Sequence, residues 1–226
     1  MLPVLLFYLF QYCILRKMCF TTYVVHEIKG EIEMKTSKIQ LMAEIAMCAA
    51  LAIVFDFLPL FTAPQGGSVS LAMLPVFLIA FRWGLKQGLI TGLLLALLQL
   101  VTKPYYVHPI QILLDYIVAF TSLGLAGIVF NQVKNSLANG NKSSAAAFII
   151  LGTFIGSLAR FICHFIAGIV FYGSYAPKGT PVSIYSLVYN AWYMVPSFII
   201  SAVVLIILLS SAPILVNVKK NRNQAA

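Results

Sequence analysis

The chain has 226 residues, of which 61% are hydrophobic and only 9% charged, and its mean hydropathy is +0.95. Soluble domains carry roughly 25% charged and about 45–50% apolar residues, and a soluble fold of this length cannot hide so much apolar surface, so lipid must serve as the solvent. A net charge of +9 would point to nucleic acid in a soluble protein, but here the basic residues sit mostly in short loops and the C-terminal tail, where they read as topology signals.

Residues 1–33 differ from the rest. Met1 to Leu15 form an apolar run followed by Arg16 and Lys17. The run is short for a membrane span, and it lacks the basic start and Ala-x-Ala site of a secretory signal. Lys29-Gly30-Glu31 would be encoded by a stretch resembling a bacterial ribosome-binding site, just upstream of the Met34 codon. The expectation is a decoded leader over 1–33 with translation starting at Met34; the alternative is an extra interfacial helix.

Six membrane segments follow. The first covers 39–58 and is entered by Lys35 and Lys38; Pro59, Pro64 and Gly66-Gly67 then mark a loop. A second apolar run, 69–81, is short enough to be tilted or irregular, and such backbone is tolerated at membrane depth only against protein or a cavity. Arg82 to Lys86 form a basic turn, and the third span is 87–101. A loop with Pro104, Tyr105, Tyr106, His108 and Pro109 leads to the fourth span, 110–130. Residues 131–145 read as a polar connection. The fifth span is 146–172, Gly173 to Pro181 a loop, and the sixth span 183–209. The expected architecture is an all-α bundle of six transmembrane helices over 34–215, with a basic tail at 216–226. Lys35, Lys38, Arg82, Lys86, Lys134, Lys142, Lys219, Lys220 and Arg222 fall on one side and only Lys103 and Lys178 on the other. That bias places both termini in the cytoplasm. No internal repeat is evident, unlike in repeat-built secondary carriers.

Chemistry-bearing residues are few. Cys13, Cys19, Cys48 and Cys163 form no CxxC pair, so neither a disulfide framework nor a metal site is expected. Enzyme and nucleotide-binding motifs are absent. After Met34 the acids are Glu44, Asp56 and Asp115. Asp56, at the outer end of the first span, can reach the interface, and Glu44 can pair with Lys38 or Lys86. Asp115 lies about two turns into the fourth span, where a charge costs about 2.5–3.5 kcal/mol at mid-bilayer. It needs a partner, either Arg160 in a structural pair or a ligand, and spacing leaves both open. Gly156, Arg160, His164, Gly168 and Tyr172 recur at steps of four and share one slowly turning helix face. A lone histidine is usually a satisfied core residue, and glycines can be plain packing positions; charge and glycine on one stripe tilt the reading toward a site. Tyr185, Tyr189 and Trp192 suit interfacial anchoring, yet Asn190, two turns in, demands a hydrogen-bonded partner. Many aromatics around a few polar groups make a small-molecule pocket. With a carboxylate, such a pocket suits a flat cationic ligand.

Five stretches carry a family likeness: Pro64-Gln65-Gly66-Gly67-Ser68-Val69-Ser70, Phe81 to Lys86 (FRWGLK), Gln111 to Ala119 (QILLDYIVA), Arg160 to Pro177 (RFICHFIAGIVFYGSYAP) and Tyr185 to Asn190 (YSLVYN). They resemble the thiamine-specific substrate-binding subunits, or S components, of energy-coupling-factor (ECF) transporters, the ThiT/YuaJ family, over residues 34–213. The resemblance implies a six-helix bundle with an outward thiamine pocket, no cofactor and no bound metal. It implies partners as well: a transmembrane coupling subunit and two ATPases, which alone use ATP. Asp115 stands where the family places an acid facing the aminopyrimidine. Tyr105, Tyr116, His164, Gly168, Tyr185 and Asn190 match pocket positions. Arg160 matches a basic position that is Lys in some members, and Tyr172 stands where some have a stacking Trp. A Trp that some members carry near Gly66 is missing, so another loop residue, with Gln65 the candidate, must close that wall. Ala46 and Ala50 match an Ala-xxx-Ala contact for the coupling subunit, with packing inside the chain as the alternative. The competing functions are an S component for another vitamin and a stand-alone proton-coupled carrier using Asp115, Arg160 and His164.

Overall fold

The computed structural model describes residues 32–63, 67–105 and 107–216. Most of the expected leader, the basic tail beyond Val216, and Gln65, Gly66 and Tyr106 lie outside the described residues. The chain divides into two compact units, Met1–Glu44 and Ile45–Ala226. Within the first, helix α1 (Ile32–Phe57) begins, and Gln40 Nε2 donates to Glu44 Oε1 one turn on, at 2.9 Å.

The second unit holds the rest of α1 and five further helices. A small antiparallel hairpin follows α1, with β1 (Phe61–Thr62) paired to β2 (Ser68–Val69). Then come α2 (Met73–Trp83), α3 (Leu85–Thr102), α4 (Pro109–Ala138), α5 (Lys142–Phe171) and α6 (Val182–Ser211). Among the described residues five helices are long and apolar enough to cross a membrane, and α2 is a shorter apolar one. The six expected segments are therefore all helices.

Helix α2 explains the short second run. Its 11 residues rise only about 16 Å against a hydrocarbon layer of about 30 Å. Met73 through Arg82 are all buried, so protein rather than lipid surrounds it, as a half-length element requires. The hairpin β1–β2 precedes it where composition alone read a plain loop. At the other end Arg82 Nη1 donates to the carbonyls of Ile214 (3.3 Å) and Leu215 (2.7 Å). One guanidinium thereby satisfies two backbone acceptors just past α6.

The polar stretch 131–145 is not a loop. Helix α4 runs to Ala138 and α5 begins at Lys142. Val133, Ser136 and Leu137 bury one face of the α4 extension, and Asn141 Oδ1 caps α5 by accepting from the Ser144 amide at 3.0 Å. A polar average over the window hid an amphipathic helix end.

Helix α4 is irregular where it matters. His108 caps it, Pro109 occupies its first turn, and Leu113–Val118 form a π-helical turn. Leu123–Val129 then tighten to 3-10 geometry. There α4 presses on α3: a Cβ at Gly124 would run into the Leu89 backbone nitrogen. Helix α5 divides its faces as the stripe predicted. Ile150, Phe154, Leu158, Ile162 and Ile166 are exposed, while Gly152, Gly156 and Gly168 are buried.

Candidate functional site

A cavity of about 610 Å³ lies among the ends of α1, α3, α4, α5 and α6 and the hairpin. All nine pocket residues named from the sequence line it: Tyr105, Asp115, Tyr116, Arg160, His164, Gly168, Tyr172, Tyr185 and Asn190. The volume falls within the roughly 300–1,000 Å³ usual for small-molecule sites.

Asp115 projects from the π-helical turn of α4 and is buried. Both of its oxygens accept. His164 Nδ1 donates to Oδ1 at 2.9 Å. Gln111 Nε2, one turn earlier, donates to Oδ2 at 2.7 Å, and the Tyr172 hydroxyl reaches the same oxygen at 3.5 Å. Arg160 does not take the place of direct partner. Its Nε donates to His164 Nε2 at 3.2 Å, and its guanidinium lies 4.2 Å from the centre of the Phe120 ring, within cation–π range. Of the two partners that spacing left open for Asp115, a direct pair with Arg160 is not formed; a chain through His164 stands in its place.

The α5–α6 contact builds a second wall. Ser186 Oγ donates to the Phe165 carbonyl at 2.9 Å. Asn190 Nδ2 donates to the Ser186 carbonyl at 2.8 Å, and Tyr193 donates its hydroxyl to Asn190 Oδ1 at 2.6 Å. Asn190 is thus held rigid by neighbours on its own helix. Gly168 is required here, because a Cβ would collide with Ser186 Oγ.

Tyrosines make a third wall. Tyr105 and Tyr172 lie nearly parallel, 13° apart, with centroids at 6.3 Å. Tyr105 and Tyr175 share a hydrogen bond at 3.3 Å, and that bond pushes the Tyr105 phenol up from its ordinary pKa. Burial, aided by the Asp115 carboxylate, pushes Tyr172 up as well. Both stay protonated at neutral pH and remain donors. The Tyr116 hydroxyl accepts from the Tyr105 amide at 3.2 Å and lies 3.2 Å from the Tyr105 carbonyl, so it ties the loop after α3 to α4.

Asp56 is buried and accepts from Lys103 Nζ at 3.0 Å, which joins the C-terminal ends of α1 and α3 at the cavity edge. The loop wall beside the hairpin is closed in part by Tyr189, whose hydroxyl accepts from the Gly67 amide at 3.3 Å. Gln111, Ser186, Tyr189 and Tyr193 also line the cavity, and sequence reasoning assigned none of them. Helical spacing held the signal: Gln111 precedes Asp115 by four, and Ser186 and Tyr193 flank Asn190 by four and three. Among the described residues no cluster of His, Cys, Asp or Glu could hold a metal ion.

Six apolar helices around one polar, tyrosine-walled cavity define a multi-pass membrane protein built to hold a small molecule. The family model described as "Thiamine transporter protein (Thia_YuaJ)" matches residues 42–217, and the chain belongs to that family. It is 50% identical over 175 residues to the thiamine transporter ThiT of Bacillus subtilis, covering 76% of this chain and 91% of that one. It is 33% identical to ThiT of Lacticaseibacillus paracasei, over 75% and 87% of the two chains. A solved ThiT structure from Listeria monocytogenes superposes with a TM-score of 0.75 at 33% identity, covering 79% of this chain and 98% of that one. This is a transport protein of the bacterial cell membrane rather than an enzyme.

Proposed function

We propose that the chain captures thiamine from outside the cell as the S component of an ECF vitamin transporter. The observation that carries this reading is the convergence of all nine predicted residues on one cavity around Asp115. Thiamine has an aminopyrimidine with a donor edge and a thiazolium with a fixed positive charge. A buried carboxylate suits the amine, and paired tyrosine faces suit the cationic ring. The family membership and the named relatives support thiamine as the cargo.

Inward movement then relies on a coupling subunit and two ATPases. Ala46 and Ala50 lie exposed on α1, on the face opposite the buried Cys48 and Ala49. Their exposure among the described residues supports a role in meeting a partner helix at close range. Arg82, Lys86, Lys134 and Lys142 flank one set of helix ends and Lys103 and Lys178 the other. This supports a cavity on the outer side with both termini inside.

Calorimetric titration of the purified chain with thiamine tests the proposal. Saturable one-to-one binding is expected, with no uptake by cells that lack the coupling subunit. Thiamine accumulation in such cells, driven by a proton gradient, would instead identify a stand-alone carrier.

A further inference from the structure

We propose that Arg160 is a positioning residue that keeps His164 neutral, with its single proton on Nδ1, so that Asp115 meets the ligand opposed only by neutral donors. The inference deepens the thiamine-binding reading and rests on it for the identity of the ligand.

The reasoning starts from hydrogen inventory. An arginine Nε always carries a hydrogen and has no acceptor capacity. His164 Nε2 lies 3.2 Å from it, so that nitrogen presents a lone pair. The proton of a neutral ring must then sit on Nδ1, which faces the Asp115 acceptor Oδ1 at 2.9 Å. The chain runs one way: Arg160 donates to His164, and His164 donates to Asp115. An imidazolium would set one N–H against another at Nε2 and break the first link.

Neighbours hold the arrangement from every side. Phe120 of α4 takes the guanidinium at 4.2 Å and the edge of the His164 ring at 6.3 Å. From α6, the Tyr193 ring lies 6.5 Å away and its hydroxyl is committed to Asn190. Tyr172, just past the end of α5, and Gln111 of α4 both donate to Asp115 Oδ2. The positive charge that balances Asp115 therefore sits one ring away, on Arg160, instead of in contact on His164. Coulomb attraction falls with distance, so more of the carboxylate's field is left for a cationic ligand. Without Arg160, Nε2 is free to accept a proton, and an imidazolium in contact with Asp115 would compete with that ligand.

The test reads His164 directly. The full chain, labelled with ¹⁵N-histidine and held ligand-free in detergent at pH 7, is examined by NMR, with His164→Gln identifying the resonance. Wild type should give a neutral ring protonated at Nδ1. Arg160→Met should convert it to imidazolium and weaken thiamine binding at least tenfold. Arg160→Lys retains a cationic donor and should restore the neutral form and most of the affinity. A wild-type imidazolium or an Nε2–H ring overturns the proposal without any variant being needed. So does Arg160→Met with His164 still neutral, whatever its affinity. Failure of wild type to bind thiamine would sink the functional reading but leave the histidine assignment standing.

Discussion

Asp115 is the residue on which the cavity turns. Donors already face both of its oxygens. An amide in its place must point an NH₂ group at one of them. Asp115→Asn should therefore lose at least one internal hydrogen bond as well as the charge. Hydrogen bonds to charged groups contribute roughly 1.5–3 kcal/mol each, and about 1.4 kcal/mol is tenfold in affinity. Thiamine affinity should fall by about one to two powers of ten, with Asp115→Glu milder. Calorimetry beside the apo melting temperature separates contact from scaffold: a lowered melting temperature with unchanged affinity would assign Asp115 to structure alone. Gly168 makes a second residue-scale prediction. Its missing side chain admits Ser186, so Gly168→Ala should destabilise by about 1–3 kcal/mol, the usual cost of overpacking. Ser186→Gly in the same chain should recover much of the melting temperature, and no recovery would place the strain elsewhere.

At the scale of elements, α4 and α1 divide the work. The π-helical turn of α4 presents Asp115 and its sequence neighbour Tyr116 to the same cavity. Such turns often occur at functional sites. The 3-10 stretch beyond it seats α4 on α3 through Gly124, so the irregular helix has a firm backing. Helix α1 is proposed to contribute through its exposed alanines. Ala46→Trp or Ala50→Trp should abolish thiamine uptake in cells with the full transporter while leaving binding by the purified chain within about twofold, since a lipid-side substitution away from packed features costs little. A parallel fall in binding would show that these alanines serve the chain's own packing.

For the whole molecule, the distribution of basic residues predicts an orientation that can be tested. Single cysteines introduced at Asn139 and at Lys178, with the native cysteines replaced by serine, should label from opposite sides of intact cells. A membrane-impermeant thiol reagent is expected to reach position 178 and not position 139. The reverse pattern would place the cavity in the cytoplasm and remove the capture role.

The membrane class and the six helical segments were legible from the chain itself, because each depends on a local quantity: transfer free energy summed over a window. Of the residues that line the cavity, the stripe through Arg160, His164, Gly168 and Tyr172 came from spacing on one helix, whereas Tyr105, Tyr116 and Tyr185 were assigned to a pocket through the family resemblance. Helical spacing alone turns Arg160, His164 and Gly168 to one face, because the period belongs to the backbone. What local reading left open were the pairings. Asp115 and His164 are 49 positions apart, and nothing in either neighbourhood says that the acid meets the imidazole first and Arg160 only through it. The Asp56–Lys103 pair, the burial of α2, the hairpin against Tyr189 and the extension of α4 to Ala138 were likewise decided by tertiary contact. In lipid a polar group must find a partner inside the protein. Hydropathy announces that requirement at each polar position, but only the packed bundle decides which distant residue meets it.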